Sequence, residues 1–429
     1  MMNDKLTIAV VGLGHVGLPL AMAFAKKYSV IGYDSNRIRI NQLLEGKDKT
    51  GQVNAQQLAE SGIDFTSDPS SLTAAGFIMI AVATPIDSAD QPDLSQLLEA
   101  CSIVGRYMKK GAVIVFESTV YPGATEEECI PKLEEYSSLE SGVEFFVGYS
   151  PERFNPGERK LPITKIKKVV AGQNEAVLDY VAEIYGSVMD AGIFKAKSIR
   201  VAEAAKVIEN TQQDVNIALI NEFSLIFNHL GIDTGAVLET AGTKKSFLKF
   251  TPGLAGGPRL GIDSHYLAHK ARAAGYEPEI ILAGRKVNDG MGHYIARTVA
   301  KRLIQRNLPS RGTRVTVLGI TYKEDVQDLR NSKIIDVIEE LHDYGFEVQT
   351  SDCCADPQDA DRKYGVMLTP EHELLPASAV ILAMPHKQYK EAGWKLIQPL
   401  LDKQGGMVFD VKGVLEQQSK PENVELWRL

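Results

Sequence analysis

Gly12-Leu13-Gly14-His15-Val16-Gly17 follows a short apolar run and precedes LPLAMAFAKK, a segment of helical composition. Glycines at that spacing let the chain turn tightly and bring backbone amides against a pyrophosphate at a helix N-terminus. The next apolar run, Val30-Ile31-Gly32-Tyr33, ends in Asp34, where a carboxylate can accept hydrogen bonds from a ribose diol. The same acid repels a 2′-phosphate, so NAD is expected over NADP, with Arg37 and Arg39 as the residues that argue the other way. Lys206 and Asn210 stand four apart, so on a helix they share a face and can reach one ligand from a rigid support. The glycine-rich passage 251–266 carries Arg259, Asp263 and His265, and its glycines permit close backbone approach to a ligand. In TYKEDVQDLRNS (321–332), Lys323, Asp328 and Arg330 form a set suited to an anionic or hydroxyl-rich ligand, a solvated charged loop being the plain alternative.

These residues need supports. Strand-like runs at 6–11, 30–33, 77–83, 112–116, 145–148 and 169–172 alternate with helical ones such as 94–108, which calls for a doubly wound parallel sheet. Ligands of such sheets gather at the carboxyl ends of strands, where this chain places Thr84-Pro85, Glu117-Ser118-Thr119 and Tyr149-Ser150-Pro151-Glu152-Arg153. Each cluster alone is turn chemistry. At successive strand ends they point to one site, with Glu152 as the candidate acid or base. Segment 200–231 contains no helix breaker, its Ile208, Val215, Leu219 and Ile226 recur at helical steps, and Gly231 stops it. Such a helix runs about 45 Å, longer than a domain is wide, and must bridge something. GRKVND (284–289) lies in a later helical run. A linker near 309–313 then leads to a second αβ region, with strands at 315–319, 346–349, 379–384 and, last, 408–411, and a helix within 332–345. The expected α/β architecture is an N-terminal Rossmann domain (1–199), a central helical region (200–308) and a C-terminal Rossmann-like αβ domain (309–429), joined by the long central helix.

Composition narrows the function. A chain of 429 residues, 44% hydrophobic and 24% charged, is a globular protein of two or three domains. Its formal charge of −8 argues against a nucleic-acid surface. The four cysteines have no zinc-ligand spacing and two are adjacent, so neither a metal site nor a disulfide framework is expected. With no leader pattern ahead of the first strand and no run long enough to span a bilayer, a cytoplasmic, non-membrane protein is expected.

The set of motifs resembles the UDP-glucose/GDP-mannose dehydrogenase family, and within it the UDP-N-acetylhexosamine 6-dehydrogenases of polysaccharide biosynthesis. VVGLGHVGLPLA, ATPIDSADQPDL, ESTVYPGATEEE, GYSPERFNPG, VAEAAKVIENTQQDVNIAL, EIILAGRKVND, YKEDVQDLRNS and FDVKGVL occur in the family's order along nearly the whole chain. The resemblance implies an NAD-dependent oxidoreductase in which the long helix pairs subunits into a homodimer and the C-terminal domain holds the nucleotide. It implies that Gly12, Gly14, His15, Val16, Gly17, Asp34, Arg39, Thr84 and Thr119 bind the cofactor. It further implies a UDP-sugar held by Glu152, Arg153, Lys206, Asn210, Lys323 and Arg330, with Arg285 contributing. Thr119, Glu152, Lys206, Asn210 and Asp263 are the implied catalytic set.

One departure bears on mechanism. The family pattern, close to GGHC-x-x-x-DPYYL, reads GGPRLGIDSHYL here, with Pro258 for histidine, Arg259 for the catalytic cysteine, and Ser264 and His265 for Pro and Tyr. The family oxidises a primary alcohol twice, trapping the aldehyde on that thiolate as a route to a thioester and then the acid. A guanidinium stays protonated and is a poor nucleophile. Three readings stay open: an NAD-consuming dehydrogenase that stops at the aldehyde or oxidises its hydrate directly; a relative with bound NAD that epimerises a UDP-N-acetylhexosaminuronate through transient oxidation; and a non-catalytic nucleotide-sugar-binding protein. In the first two Arg259 would join the catalytic set and recognise an anion at the sugar C6.

Overall fold

The computed structural model describes residues 6–87, 89–153 and 162–429, so the end of the GYSPERFNPG motif lies outside the described residues. Contacts divide the chain into two compact units, Met1–Glu209 with His265–Tyr276, and Asn210–Ser264 with Glu277–Leu429.

The first unit is built on an eight-stranded sheet of β1 (Thr7–Val11), β2 (Ser29–Tyr33), β3 (Asp64–Thr66), β4 (Phe77–Ile80), β5 (Val113–Phe116), β6 (Phe146–Tyr149), β7 (Lys168–Gly172) and β8 (Ile193–Lys195). Their order is β3-β2-β1-β4-β5-β6-β7-β8. Strands β4 and β5 are buried along their whole length, as the continuous apolar runs of doubly covered strands require. The expectation of a wholly parallel sheet needs correction, because β7 runs antiparallel to β6. The run at 77–83 leaves the sheet after Ile80, and β3 and β8 are three residues each, too short to show a period.

The second unit holds a parallel five-stranded sheet, β9 (Arg314–Leu318), β10 (Glu347–Ser351), β11 (Ala379–Leu382), β12 (Gly406–Asp410) and β13 (Val424–Arg428), in the order β10-β9-β11-β12-β13. The run at 408–411 is therefore not the last strand. In each sheet the order reverses beside the first strand, between β1 and β4 and between β9 and β11, and ligands of open α/β sheets bind at the carboxyl ends flanking that point.

The central helix spans Ile199–Leu230. Its burial departs from that of an ordinary amphipathic helix. Glu203, Lys206, Thr211, Asp214, Asn221 and Ser224 are buried, while Ile208, Leu219, Ile226 and Leu230 are 46–64% exposed. Of the sequence-predicted apolar stripe, Ile208, Leu219 and Ile226 thus face outward while Val215 is half-buried, and the buried face carries polar groups beside Val207, Ala218 and Ile220. Among the described residues no helix is long and apolar enough to cross a membrane.

Candidate active site

In the first unit the glycine turn closes on itself. Gly12 adopts φ +90° and donates to the Tyr33 carbonyl at 2.9 Å. A Cβ at Gly12 would lie 2.9 Å from the Ala81 carbonyl oxygen and one at Gly17 only 1.8 Å from that of Gly12, whereas one at Gly14 would meet nothing within 4 Å. The turn is therefore packed on its inner side and open at Gly14, which suits the approach of a pyrophosphate. His15 and Val16 lie between, and the Val16 carbonyl begins the helical ladder by accepting from Leu20. Asp34 Oδ2 accepts the Leu13 amide at 2.9 Å and Oδ1 the Asn36 amide at 2.9 Å, so the carboxylate is fixed at the rim of the turn. Arg39 donates from Nε to the Leu13 carbonyl and from Nη2 to Asp48 at 2.7 Å, leaving buried Nη1 without a protein partner. Burial opposes ionisation of Asp48, but the hydrogen bonds from Arg39 and Thr50 outweigh it and hold the carboxyl below its ordinary range. The Arg39 charge is thus balanced within the protein and is a poor recruiter of a 2′-phosphate. Thr84 Oγ1 donates to the Thr119 carbonyl at 2.7 Å and Ser118 Oγ to that of Val82 at 2.7 Å, tying together the segments that follow β4 and β5.

Beyond β5 and β6 lies a buried charge cluster that sequence reading only half found. Glu117 and Glu152 were visible as strand-end acids; Lys168, the first residue of β7, and Tyr185 were not. Lys168 Nζ sits 2.6 Å from Glu117 Oε2 and 3.2 Å from Glu152 Oε2, and Tyr185 donates to Glu117 Oε1. A lysine opening a buried strand was the available sequence signal, since such a charge needs a partner. Burial pushes the Glu117 carboxyl up to about 7, with Lys168 opposing and the Glu152 charge adding to the rise. Arg153 pairs with Glu209 at 2.7 Å. Lys206 is buried on the central helix, where nearby Glu203 accepts the Gly123 and Thr125 amides at 2.6 and 2.9 Å.

In the second unit Asn210 Nδ2 donates to Asp263 Oδ2 at 2.5 Å. The passage 251–266 was expected as loop, yet a helix, Ile262–Ala273, starts inside it, with the Arg259 carbonyl accepting the Ile262 and Asp263 amides. Asp263 and Ser264 therefore stand on a helical turn. Asn221 brackets Gly253 by accepting its amide and donating to its carbonyl, and Asp214 receives Ser264, Arg285 and Asn288. The inward polar face of the central helix thus fixes this passage. The glycines admit protein rather than open space: a Cβ at Gly253 would lie 2.3 Å from Lys412 Nζ, one at Gly256 2.4 Å from the Asn331 carbonyl oxygen and one at Gly257 2.4 Å from the Tyr322 ring. Arg259 and Arg330 both act electrostatically on the Tyr322 hydroxyl, and Arg330 also grips Asp328 through Nε and Nη2. Lys323 is half-buried in the same loop, its carbonyl accepting from Thr321 Oγ1. Arg285 is 4% exposed and committed to Asp214 and Asp289, so its observed task is to brace the passage under Gly261.

None of the four cysteines lies within the 251–266 passage. Cys101 and Cys129 are buried, and the hydrogen bond from Cys101 and burial hold the Cys129 thiol protonated. Burial pushes the Cys354 thiol up to about 12 and raises that of Cys353. The fold does gather Asp352, Cys353, Cys354 and His386, with ligand atoms within 4.8 Å of one another. Existing hydrogen bonds already use the Asp352 and His386 atoms. His386 Nδ1 accepts the Asp325 amide, which leaves the proton on Nε2, facing Asp352 Oδ2 at 3.2 Å, and Asp352 also accepts the Ile320, Cys354 and Ala355 amides. The group acts as a latch on the loop after β9, in the way Asp34 latches the turn after β1.

Comparison with known proteins agrees with this geometry. The NAD binding, central and UDP binding domains of the UDP-glucose/GDP-mannose dehydrogenase family match residues 6–189, 200–290 and 316–417. The chain is 50% identical to protein CapL of Staphylococcus aureus over 98% of its length and 99% of that protein. It is 46% identical to the UDP-N-acetyl-D-glucosamine 6-dehydrogenase of Pseudomonas aeruginosa, covering 96% and 98% of the two chains. A solved UDP-D-ManNAc dehydrogenase from Pyrococcus horikoshii superposes with a TM-score of 0.88 at 29% identity, over 99% of both chains.

Proposed function

The chain belongs to the UDP-glucose/GDP-mannose dehydrogenase family, and from that premise we propose that it is an NAD-dependent oxidoreductase of polysaccharide biosynthesis, acting on a UDP-N-acetylhexosamine or its uronic acid. The observation that carries this reading is the full-length likeness to a UDP-N-acetyl-D-glucosamine 6-dehydrogenase. NAD, when bound, supplies the hydride acceptor. Gly12, Gly14, His15, Val16 and Gly17 form its pyrophosphate cradle, Asp34 takes the ribose diol, Arg39 braces the turn, and Thr84 and Thr119 serve the nicotinamide side. Lys323 and Arg330 hold the uridine diphosphate, with Arg153 as a further cation and Arg285 acting by bracing the glycine passage. Glu152, Lys206, Asn210 and Asp263 orient the sugar and water and manage the proton of the reacting hydroxyl. Arg259 stands where the family pattern has its cysteine, so any oxidation to the acid proceeds without an enzyme thioester at this position. The outward apolar residues of the central helix pair two copies as a homodimer.

NADH yield tests the reading. Two equivalents per UDP-N-acetylhexosamine mark complete oxidation and one marks an aldehyde or ketone product. No NADH with an altered sugar marks epimerisation. Binding of UDP-sugar with no turnover of any uronate or unoxidised sugar would overturn the enzyme assignment.

A further inference from the structure

We propose that Cys353 and Cys354 form a two-thiol chelating site for a neutral trivalent metalloid of the arsenite class, and that occupying it loosens the loop after β9. The consequence for nucleotide binding rests on the assignment of Lys323 and Arg330 given above.

The two Sγ atoms lie 3.7 Å apart just past the carboxyl end of β10, with Cys353 exposed and Cys354 half-buried. Adjacent Cα atoms are about 3.8 Å apart, short of the roughly 4.4–6.8 Å that disulfides span, so a direct S–S bond would strain this turn. One atom placed between the sulfurs avoids that. Burial raises both thiols, that of Cys354 to about 12, so the pair is held as neutral S–H and suits a reagent that takes thiols rather than thiolates. An arsenoxide is such a reagent. Two S–H bonds and the bonding of arsenic to oxygen break, two As–S bonds form, and the oxygen leaves as water with both thiol protons, no element being oxidised or reduced. A zinc ion would need four ligands. The other groups gathered here are committed: His386 Nδ1 accepts the Asp325 amide, so Nε2 keeps its proton, and Asp352 accepts the Ile320 and Thr321 amides on Oδ2 and the Cys354 and Ala355 amides on Oδ1. Two thiols remain. Cys353 also lines a cavity of about 260 Å³ with Thr369, Glu371, Gln388 and Tyr389, which leaves room for the third substituent on arsenic. One oxygen of Asp352 thus holds the dithiol turn, and the other holds the root of the 321–332 loop. A chelate ring closed over the Cys353–Cys354 peptide turns the Cys354 amide away from Oδ1, and the carboxylate that reorients carries its bonds to Ile320 and Thr321 with it.

Native mass spectrometry of the full chain with phenylarsine oxide is the test. One adduct per chain is expected, heavier by the reagent less one water, and removed by a dithiol but not by a monothiol at equal concentration. Cys353→Ser and Cys354→Ser should each weaken binding at least about 100-fold, because chelation makes the second bond intramolecular. No adduct on the unsubstituted chain overturns the site, a result that needs no variant to fold, and so does an adduct kept at full affinity in both variants. Zinc binding as tight as that of the arsenical and lost in His386→Ala would also overturn it, in favour of a four-ligand centre. With the adduct in place, UDP affinity measured by calorimetry should fall about 5- to 150-fold, the range of ordinary coupling between sites, and should not fall in Cys353→Ser treated alike. Unchanged UDP affinity in the adduct overturns the coupling. Lys323→Ala combined with Arg330→Ala separates this from the nucleotide reading: if that variant binds UDP as the parent does, the nucleotide assignment fails and the coupling with it, while adduct formation still decides the site.

Discussion

Asn210 donates from Nδ2 to Asp263 Oδ2 at 2.5 Å, joining one turn of the central helix to the first turn of the Ile262–Ala273 helix. An amide donor so placed fixes the orientation of the carboxylate. Asp263→Asn should therefore lower kcat by about 100-fold or more, the usual weight of an acid–base group, while NAD affinity stays as it is. Steady-state rates with a parallel NAD titration check this. Equal kcat in the variant would remove Asp263 from the catalytic set.

Asp34 holds the glycine turn through Leu13 and is proposed to bind the adenosine ribose. Hydrogen bonds to a charged acceptor contribute about 1.5–3 kcal/mol, so Asp34→Ala should weaken NAD binding by about 10- to 100-fold. Calorimetric titration with NAD and NADP measures it. Unchanged NAD affinity with negligible NADP binding would show that the ribose lies elsewhere.

The Glu117 carboxyl, raised to about 7 by burial, also has a stability consequence. Between the ordinary carboxylate range and pH about 7 the folded chain keeps this proton and the unfolded chain releases it, so the folded state binds more protons and stability falls as pH rises through that window. Above it the full penalty applies. Chemical denaturation at several pH values should show this negative slope in the parent protein and a flatter one in Glu117→Gln. A slope identical in both would mean that other groups govern the window.

Sequence and structure agree best where a local rule had only one solution. Gly12, Gly17 and Asp34 were legible because a glycine turn followed by an acid after the next strand has few other uses, and the short distances around Gly17 show why no side chain fits. Lys206 and Asn210 were legible as one face of a helix. Lys168 and Tyr185 were not, because their partner Glu117 is 51 and 68 residues away in the chain and only the strand order brings them together. Gly256 and Gly257 were legible as sites of close approach, but the approaching groups, Asn331 and Tyr322, come from another motif. The outward direction of Ile208, Leu219 and Ile226 could not be read at all. Periodicity marks an apolar face but does not say whether a core or a second chain covers it.

That outward face gives the next test. Leu219, Ile226 and Leu230 stand at seven- and four-residue steps along the central helix and are 47%, 46% and 64% exposed, an apolar strip of the kind that marks a protein interface. Sedimentation should report a dimer at micromolar concentration, and Leu219→Glu combined with Ile226→Glu should yield monomer with secondary structure intact, since neither side chain is buried in the chain. A monomeric parent protein would end the homodimer assignment.

Arg259 is proposed to set which chemistry this chain performs. Its backbone carbonyl starts the helix that carries Asp263, and its charge acts on Tyr322 together with those of the Asp328–Arg330 pair, so the guanidinium belongs to a charged neighbourhood in the second unit rather than to open solvent. A planar fork of donors suits a carboxylate better than a hydroxymethyl group. If it reads an anion at the sugar C6, a UDP-N-acetylhexosaminuronate should bind more tightly than the unoxidised UDP-sugar by about tenfold or more, the effect of one charge-assisted pair, and Arg259→Ala should erase the difference. Calorimetry with both sugars measures it. Equal binding of the two, unaltered by the substitution, would eliminate carboxylate recognition and leave Arg259 to the phosphates or to loop packing. Arg259→Cys asks the converse question. A gain of two NADH per UDP-N-acetylhexosamine in that variant alone would place the departure from the family's thiol chemistry at this residue, whereas two equivalents from the parent chain would show that an acid is made here without a covalent intermediate on a cysteine.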